Sequence, residues 1–126
     1  MKKPLDAYIR FLSLAQTLNT FSGDNALDLM AFRLLDQIVI RESQNDLLTV
    51  TDAMALSSIA SPATMHRKID ELINSGYIHL TFKGENRRTK YLTPTKKAHD
   101  YYKKLGTFLI KAINCKNGIT GFKVGK

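Results

Sequence analysis

A chain of 126 residues is about one domain's worth of protein, and 44% hydrophobic residues suffice for a real core. No apolar run approaches the roughly 18 residues of a membrane span. The basic start Met1-Lys2-Lys3-Pro4 is followed by Asp6 and Arg10 rather than by a signal-peptide core. The single cysteine, Cys115, excludes an internal disulfide and fits a reducing cytoplasm, so a cytoplasmic location is expected. The net charge of +8 is unevenly placed: residues 94–126 hold eight basic side chains and one acidic, residues 1–48 five and six. Such a balance favours a polyanionic partner, nucleic acid or acidic lipid, although lysine-rich faces also arise simply for solvation.

In chain order, Pro4 suits the first turn of a helix, and Leu5, Ile9, Leu12 and Ala15 repeat at helical spacing behind it. Residues 19–25 read as a connection. A second helix is expected to start at Asp24 or Asn25, either of which can cap it. It carries a wide apolar stripe through Leu27, Met30, Ala31, Leu34, Leu35, Ile38 and Val39. Leu48-Thr49-Val50 is strand-like, and Thr51 is the expected cap of a short third helix over residues 52–58. Ser61 and Pro62 announce a fourth, with Met65, Ile69, Leu72 and Ile73 on one face and a stop at Asn74-Ser75-Gly76.

The period then changes from helical to alternating. Ile78, Leu80 and Phe82 face one way and Tyr77, His79 and Thr81 the other, a half-buried strand. Gly84-Glu85-Asn86 is turn material, and Lys90-Tyr91-Leu92-Thr93 forms the return strand. Thr93-Pro94 then resembles another cap and first turn. The last helix bears the stripe Ala98, Tyr101, Tyr102, Leu105, Phe108, Leu109 and Ala112, with Gly106 inside it. The expected fold is mainly α with a small β-hairpin: a winged helix-turn-helix with flanking N- and C-terminal helices. It should form one domain over residues 1–113, with its core at 47–97, ahead of a flexible basic tail at 114–126.

Two short helices followed directly by a hairpin suit groove reading, because the second helix must bury one face and leave the other clean. With Met65, Ile69, Leu72 and Ile73 inward, the outer side presents Ala63, Arg67, Asp70 and Asn74, with Thr64, His66 and Glu71 on the flanks. Arg67 is the natural candidate for a guanine edge, since its fork pairs with O6 and N7 together. The hairpin places Lys83, Arg87, Arg88 and Lys90 around a tight tip. Two adjacent like charges there give a hairpin no stability, so a partner is the better explanation. An arginine at such a tip can enter a narrow minor groove.

Residues 47–97 resemble the MarR-type winged helix, in a short variant. The resemblance rests on Leu47-Leu48-Thr49-Val50-Thr51-Asp52, on Ser61-Pro62-Ala63-Thr64-Met65-His66-Arg67, and on Arg87-Arg88 ahead of Leu92-Thr93-Pro94. It implies that Ser61, Ala63, Thr64, His66 and Arg67 line the major groove from a recognition helix at 61–74. It also implies that Arg87 or Arg88 is the wing arginine of a wing at 83–90, oriented by Glu85. The family usually carries Gly-Leu in the turn between the two helices, where this chain has Ser57-Ser58-Ile59-Ala60. MarR-type proteins dimerise through the first and two last helices, and here only one last helix fits.

The expected activity is therefore sequence-specific binding of double-stranded DNA by a homodimeric transcriptional regulator, a repressor rather than an activator. The alternative is a winged-helix module for protein interaction or RNA association, which the acidic Asp70 and Glu71 on the same helix favour. No residue specifies a small-molecule effector. His66, His79, His99 and Cys115 lack metal-ligand spacing, and no nucleophile elbow, Walker loop or His-Glu-x-x-His is present, so no metal, cofactor or enzymatic activity is expected.

Overall fold

A computed structural model describes residues 3–20 and 27–114. Its elements are α1 (Pro4–Thr20), α2 (Leu29–Ser43), α3 (Val50–Met54), α4 (Pro62–Asn74), β1 (Ile78–Lys83), β2 (Asn86–Pro94) and α5 (Lys96–Asn114). The chain forms two compact units, one of residues 27–99 and the other made of α1 with α5 from Asp100 onward. Of the expected connection over 19–25, residues 19 and 20 belong to α1 instead, and residues 21–25, Cys115 and all but the first residue of the expected basic tail lie outside the described residues.

In the 27–99 unit, α2 buries Ala31, Leu34, Leu35 and Ile38, as its stripe requires. It starts later than the expected Asp24 or Asn25. Asp28 is the cap, its Oδ1 accepting the Ala31 N–H at 2.9 Å. The stripe accordingly shortens at its front, and Met30 is exposed. Met65, Ile69 and Leu72 of α4, Leu48, Ala53, Ile78, Leu92 and Ala98 complete this core.

The start of α3 also differs from expectation. Thr49 rather than Thr51 is the cap, because Thr49 and Asp52 close a reciprocal capping box: Asp52 N–H donates to Thr49 Oγ1 and Thr49 N–H to Asp52 Oδ2. The helix runs Val50–Met54, and Val50 belongs to it rather than to a strand. The strand character of Leu48-Thr49 reduces to one antiparallel bridge, Thr49 to Tyr91, with Leu92 N–H donating to the Leu48 carbonyl at 2.8 Å.

The hairpin pairs Ile78 with Pro94, Leu80 with Leu92 and Thr81 with Tyr91 in antiparallel register. Only Ile78 of the expected inward face is fully buried; Leu80 and Phe82 are half-buried nearer the tip. The return strand is longer than expected and takes in Pro94, so Thr93 caps nothing. The cap of α5 is Thr95, whose Oγ1 accepts from Ala98 N–H and whose carbonyl accepts from His99 N–H.

In the second unit Leu5, Ile9 and Leu12 of the expected α1 stripe are exposed, as is Tyr8. Arg10 is buried instead. Its Nε donates to the Ala112 carbonyl of α5 at 3.0 Å, while its Nη2 has no hydrogen-bond partner among the described residues. Ala112 is buried, whereas Leu109, Ile110 and Ile113 of α5 are exposed.

Candidate nucleic-acid interface

Helix α4 begins as its sequence dictates. Ser61 caps it, accepting the Thr64 N–H at 3.4 Å, and Pro62 occupies the first turn, where its missing N–H has no acceptor to lose. Gly76 follows the helix at φ +82°, the left-handed region that glycine enters without steric cost. Because Met65, Lys68, Ile69 and Leu72 face inward, Ser61, Ala63, His66, Arg67, Asp70 and Asn74 are left exposed and Thr64 half-buried. All five candidate positions of this segment, Ser61, Ala63, Thr64, His66 and Arg67, thus lie together on the outer surface of α4 or its edge.

Within that surface Arg67 Nη2 donates to Thr64 Oγ1 at 3.3 Å, and Ser61 Oγ donates to the same hydroxyl at 3.2 Å. His66 Nδ1 lies 3.8 Å from Asp70 Oδ2 one turn on. The carboxylate of Glu71 does not stand free. It accepts from Lys68 Nζ at 3.3 Å, and the same ammonium donates to Asp28 Oδ2 at 2.5 Å.

Lys68 is the residue that the sequence reading passed over. A lysine buried at this level requires an acidic partner, and Asp28 lies 40 positions away. That hydrogen bond holds the Asp28 carboxyl below the ordinary range and raises the Lys68 ammonium above its own, against the opposing effect of burial. Only the Lys68–Glu71 spacing of three was visible in the sequence.

The wing carries the other four candidates, Lys83, Arg87, Arg88 and Lys90, all exposed. Gly84 turns the hairpin at φ +58°, and Lys83 pairs with Asn86 across a two-residue tip. A positive φ at the first central position alone matches the turn that wants glycine there. Between Thr81–Tyr91 and Lys83–Asn86 the register shifts, so Phe82 alone stands opposite residues 87–90. Ring faces hold two of the cations: Arg87 sits 5.0 Å from the Phe82 centroid and Lys83 Nζ 4.5 Å from that of Tyr91. Arg88 N–H donates to Asn86 Oδ1 at 2.9 Å. Among the described residues no ion pair joins Glu85 to either arginine; the Arg87 guanidinium lies over Phe82, and Arg88 meets Asn86 through its backbone N–H alone.

His79 is exposed; His99 Nε2 lies 2.7 Å from Glu42 Oε1, tying the start of α5 to the end of α2. Among the described residues no group of His, Cys, Asp and Glu is placed to hold a metal, and no helix is long and apolar enough to cross a membrane.

No protein-family model matches the sequence, nor does any curated protein. Solved structures do match. RV1404 from Mycobacterium tuberculosis superposes with a TM-score of 0.61 at 19% identity, over 96% of this chain and 76% of that one. A MarR family transcriptional regulator from Streptomyces coelicolor, solved in complex with DNA, gives 0.53 at 13% identity, over 96% and 73%. A MarR protein from Peptoclostridium difficile gives 0.52 at 20% identity, over 95% and 77%. At these identities the likeness is one of fold: the chain has the MarR-type winged-helix fold.

Proposed function

We propose that the protein is a sequence-specific double-stranded DNA-binding regulator of transcription, acting in the cytoplasm as a homodimer. The observation that carries this reading is the outer surface of α4. Its small capped first turn (Ser61, Ala63, Thr64) and single forward arginine, Arg67, leave room for a groove, on a unit that also bears a wing with four exposed cations. The fold is that of a regulator solved in complex with DNA. In this reading the α4 residues enter the major groove and the wing reaches the minor groove. Two copies would place their half-sites about one helical turn apart, roughly 34–36 Å. Repression asks for nothing beyond occupancy of the duplex, and that is the direction we assign.

The exposed apolar faces of α1 and α5 support the dimer. The competing reading, a protein-interaction or RNA-associated module, drew on Asp70 and Glu71. Glu71 is engaged by Lys68, which leaves Asp70, beside His66, as the one carboxylate on the outer surface of α4.

The test is fluorescence-anisotropy binding to mixed-sequence duplex across a salt series, with wild type and the double variant R87A/R88A. The reading expects steeply salt-dependent binding that weakens in the variant. A folded wild type that binds no duplex at low salt would overturn it in favour of the interaction module.

A further inference from the structure

We propose that the two adjacent arginines of the wing have separate ligands: Arg88, with Lys90, seats one phosphodiester of the duplex backbone in a cleft at the foot of the wing, and Arg87 enters the minor groove. This rests on the DNA-binding reading and assigns the wing's cations within it.

The cleft has a volume of about 240 Å³ and is lined by Thr49, Val50 and Thr51 on one side and Arg88, Thr89 and Lys90 on the other. It exists because of the register shift. With Thr81 paired to Tyr91 and Lys83 to Asn86, residues 87–90 exceed what Phe82 can match, and the surplus chain forms a wall. The opposite wall is anchored to the same strand by the Thr49–Tyr91 bridge and the Leu48–Leu92 hydrogen bond, directly beside Lys90.

The lining residues are chemically one-sided: two basic residues, three threonines, one valine and no carboxylate. Asp52, the acidic residue nearest in sequence, has its Oδ2 on the Thr49 N–H and 3.8 Å from Arg41. Thr49 Oγ1 accepts from Asp52 N–H and retains its own proton to donate. Among the described residues neither Arg88 nor Lys90 has a carboxylate partner. Clustered cationic and hydroxyl donors with no acceptor charge suit phosphate oxygens and reject both an apolar ligand and a cation. Arg87 is held differently. It lies over the Phe82 ring and is absent from the cleft lining, leaving its guanidinium for another contact.

The two roles separate by experiment. A duplex selected by the wild type from a randomised pool and a scrambled duplex are titrated across salt with wild type, R87Q, R88Q and K90Q, each checked for an unchanged melting curve. R88Q and K90Q should weaken both duplexes by the same factor and reduce the salt slope by about one each. R87Q should narrow the ratio between preferred and scrambled duplex. If R88Q and K90Q leave the slope at the wild-type value, or R88Q rather than R87Q changes the ratio, the division is wrong while DNA binding stands. Failure of the wild type on both duplexes overturns the underlying reading, before any variant is compared.

Discussion

The buried ammonium of Lys68 in α4 and the carboxylate of Asp28, which caps α2, form an ion pair at 2.5 Å. One carboxylate thereby serves two elements, its Oδ1 closing the first turn of α2 and its Oδ2 gripping the helix that bears the outward candidates. The seat of α4 is set by this contact as well as by Met65, Ile69 and Leu72.

Asp28→Ala removes both functions. It should cost about 2 kcal/mol, roughly one for the cap and up to one for a pair whose acidic side is half-exposed and screened. Asp28→Asn keeps a good cap and should lose only the second part. The pair also predicts an acid dependence. Because Asp28 has a lowered pKa in the folded state, its contribution is present above about pH 4 and disappears as pH falls through that lowered value. Urea unfolding from neutral to acid pH should show a shallower decline for Asp28→Asn than for wild type. Identical slopes would mean the pair contributes nothing.

Arg67→Ala should reduce affinity for the preferred duplex by about 1–3 kcal/mol and relax choice at one base position. Arg67 is exposed and, among the described residues, its one side-chain hydrogen bond is to Thr64, so thermal stability should stay within about 0.5 kcal/mol of wild type. Repeating the selection with the variant checks this. An unchanged preferred sequence would remove Arg67 from base reading.

The order of elements was legible because each has a local cause: Ser61-Pro62 for the start of α4, Gly76 for its end, and the change to alternating periodicity at Ile78. Three helix starts differ from expectation, each where a second candidate stands nearby; for α5 it is Thr95 two residues beyond Thr93. Thr49 outcompetes Thr51 because only Thr49 has an acidic residue three positions on, a pattern present in the sequence. Asp28 caps α2 and also meets Lys68, a contact that no local pattern contains. For the same reason the outward candidates of α4 were readable from periodicity, whereas the wing-foot cleft was not. It depends on a register shift and on a bridge between residues 42 positions apart. The burial of Arg10 behind an exposed apolar stripe was likewise beyond periodicity, which finds a stripe without saying what covers it.

Gly84→Ala should destabilise the protein by about 1 kcal/mol. No atom lies within 4 Å of the added Cβ, so the cost comes from φ +58° alone. Asn tolerates that region better, and Gly84→Asn should recover part of the loss. Relaxing the tip would also move Lys83 and Arg87 off their ring faces, so duplex affinity should fall in the Ala variant more than in the Asn variant. Melting curves with anisotropy on the same samples test both statements. An Ala variant of wild-type stability would show that the turn readily adopts another form.

The second unit carries an exposed apolar stripe. Leu5, Ile9, Leu109, Ile110 and Ile113 are each roughly half to two-thirds exposed, a costly arrangement unless a second copy covers them. The double variant I110K/I113K should sediment as a monomer at concentrations where wild type is a dimer. The 27–99 unit contains neither residue, so the variant should keep the wing-dependent salt slope per copy. Without a linked second copy it should lose the preference for a duplex carrying two half-sites over one carrying a single half-site. A variant that sediments like wild type would leave the apolar stripe unexplained by self-association. A monomeric variant that still prefers two half-sites would mean that the duplex, rather than this face, brings the copies together.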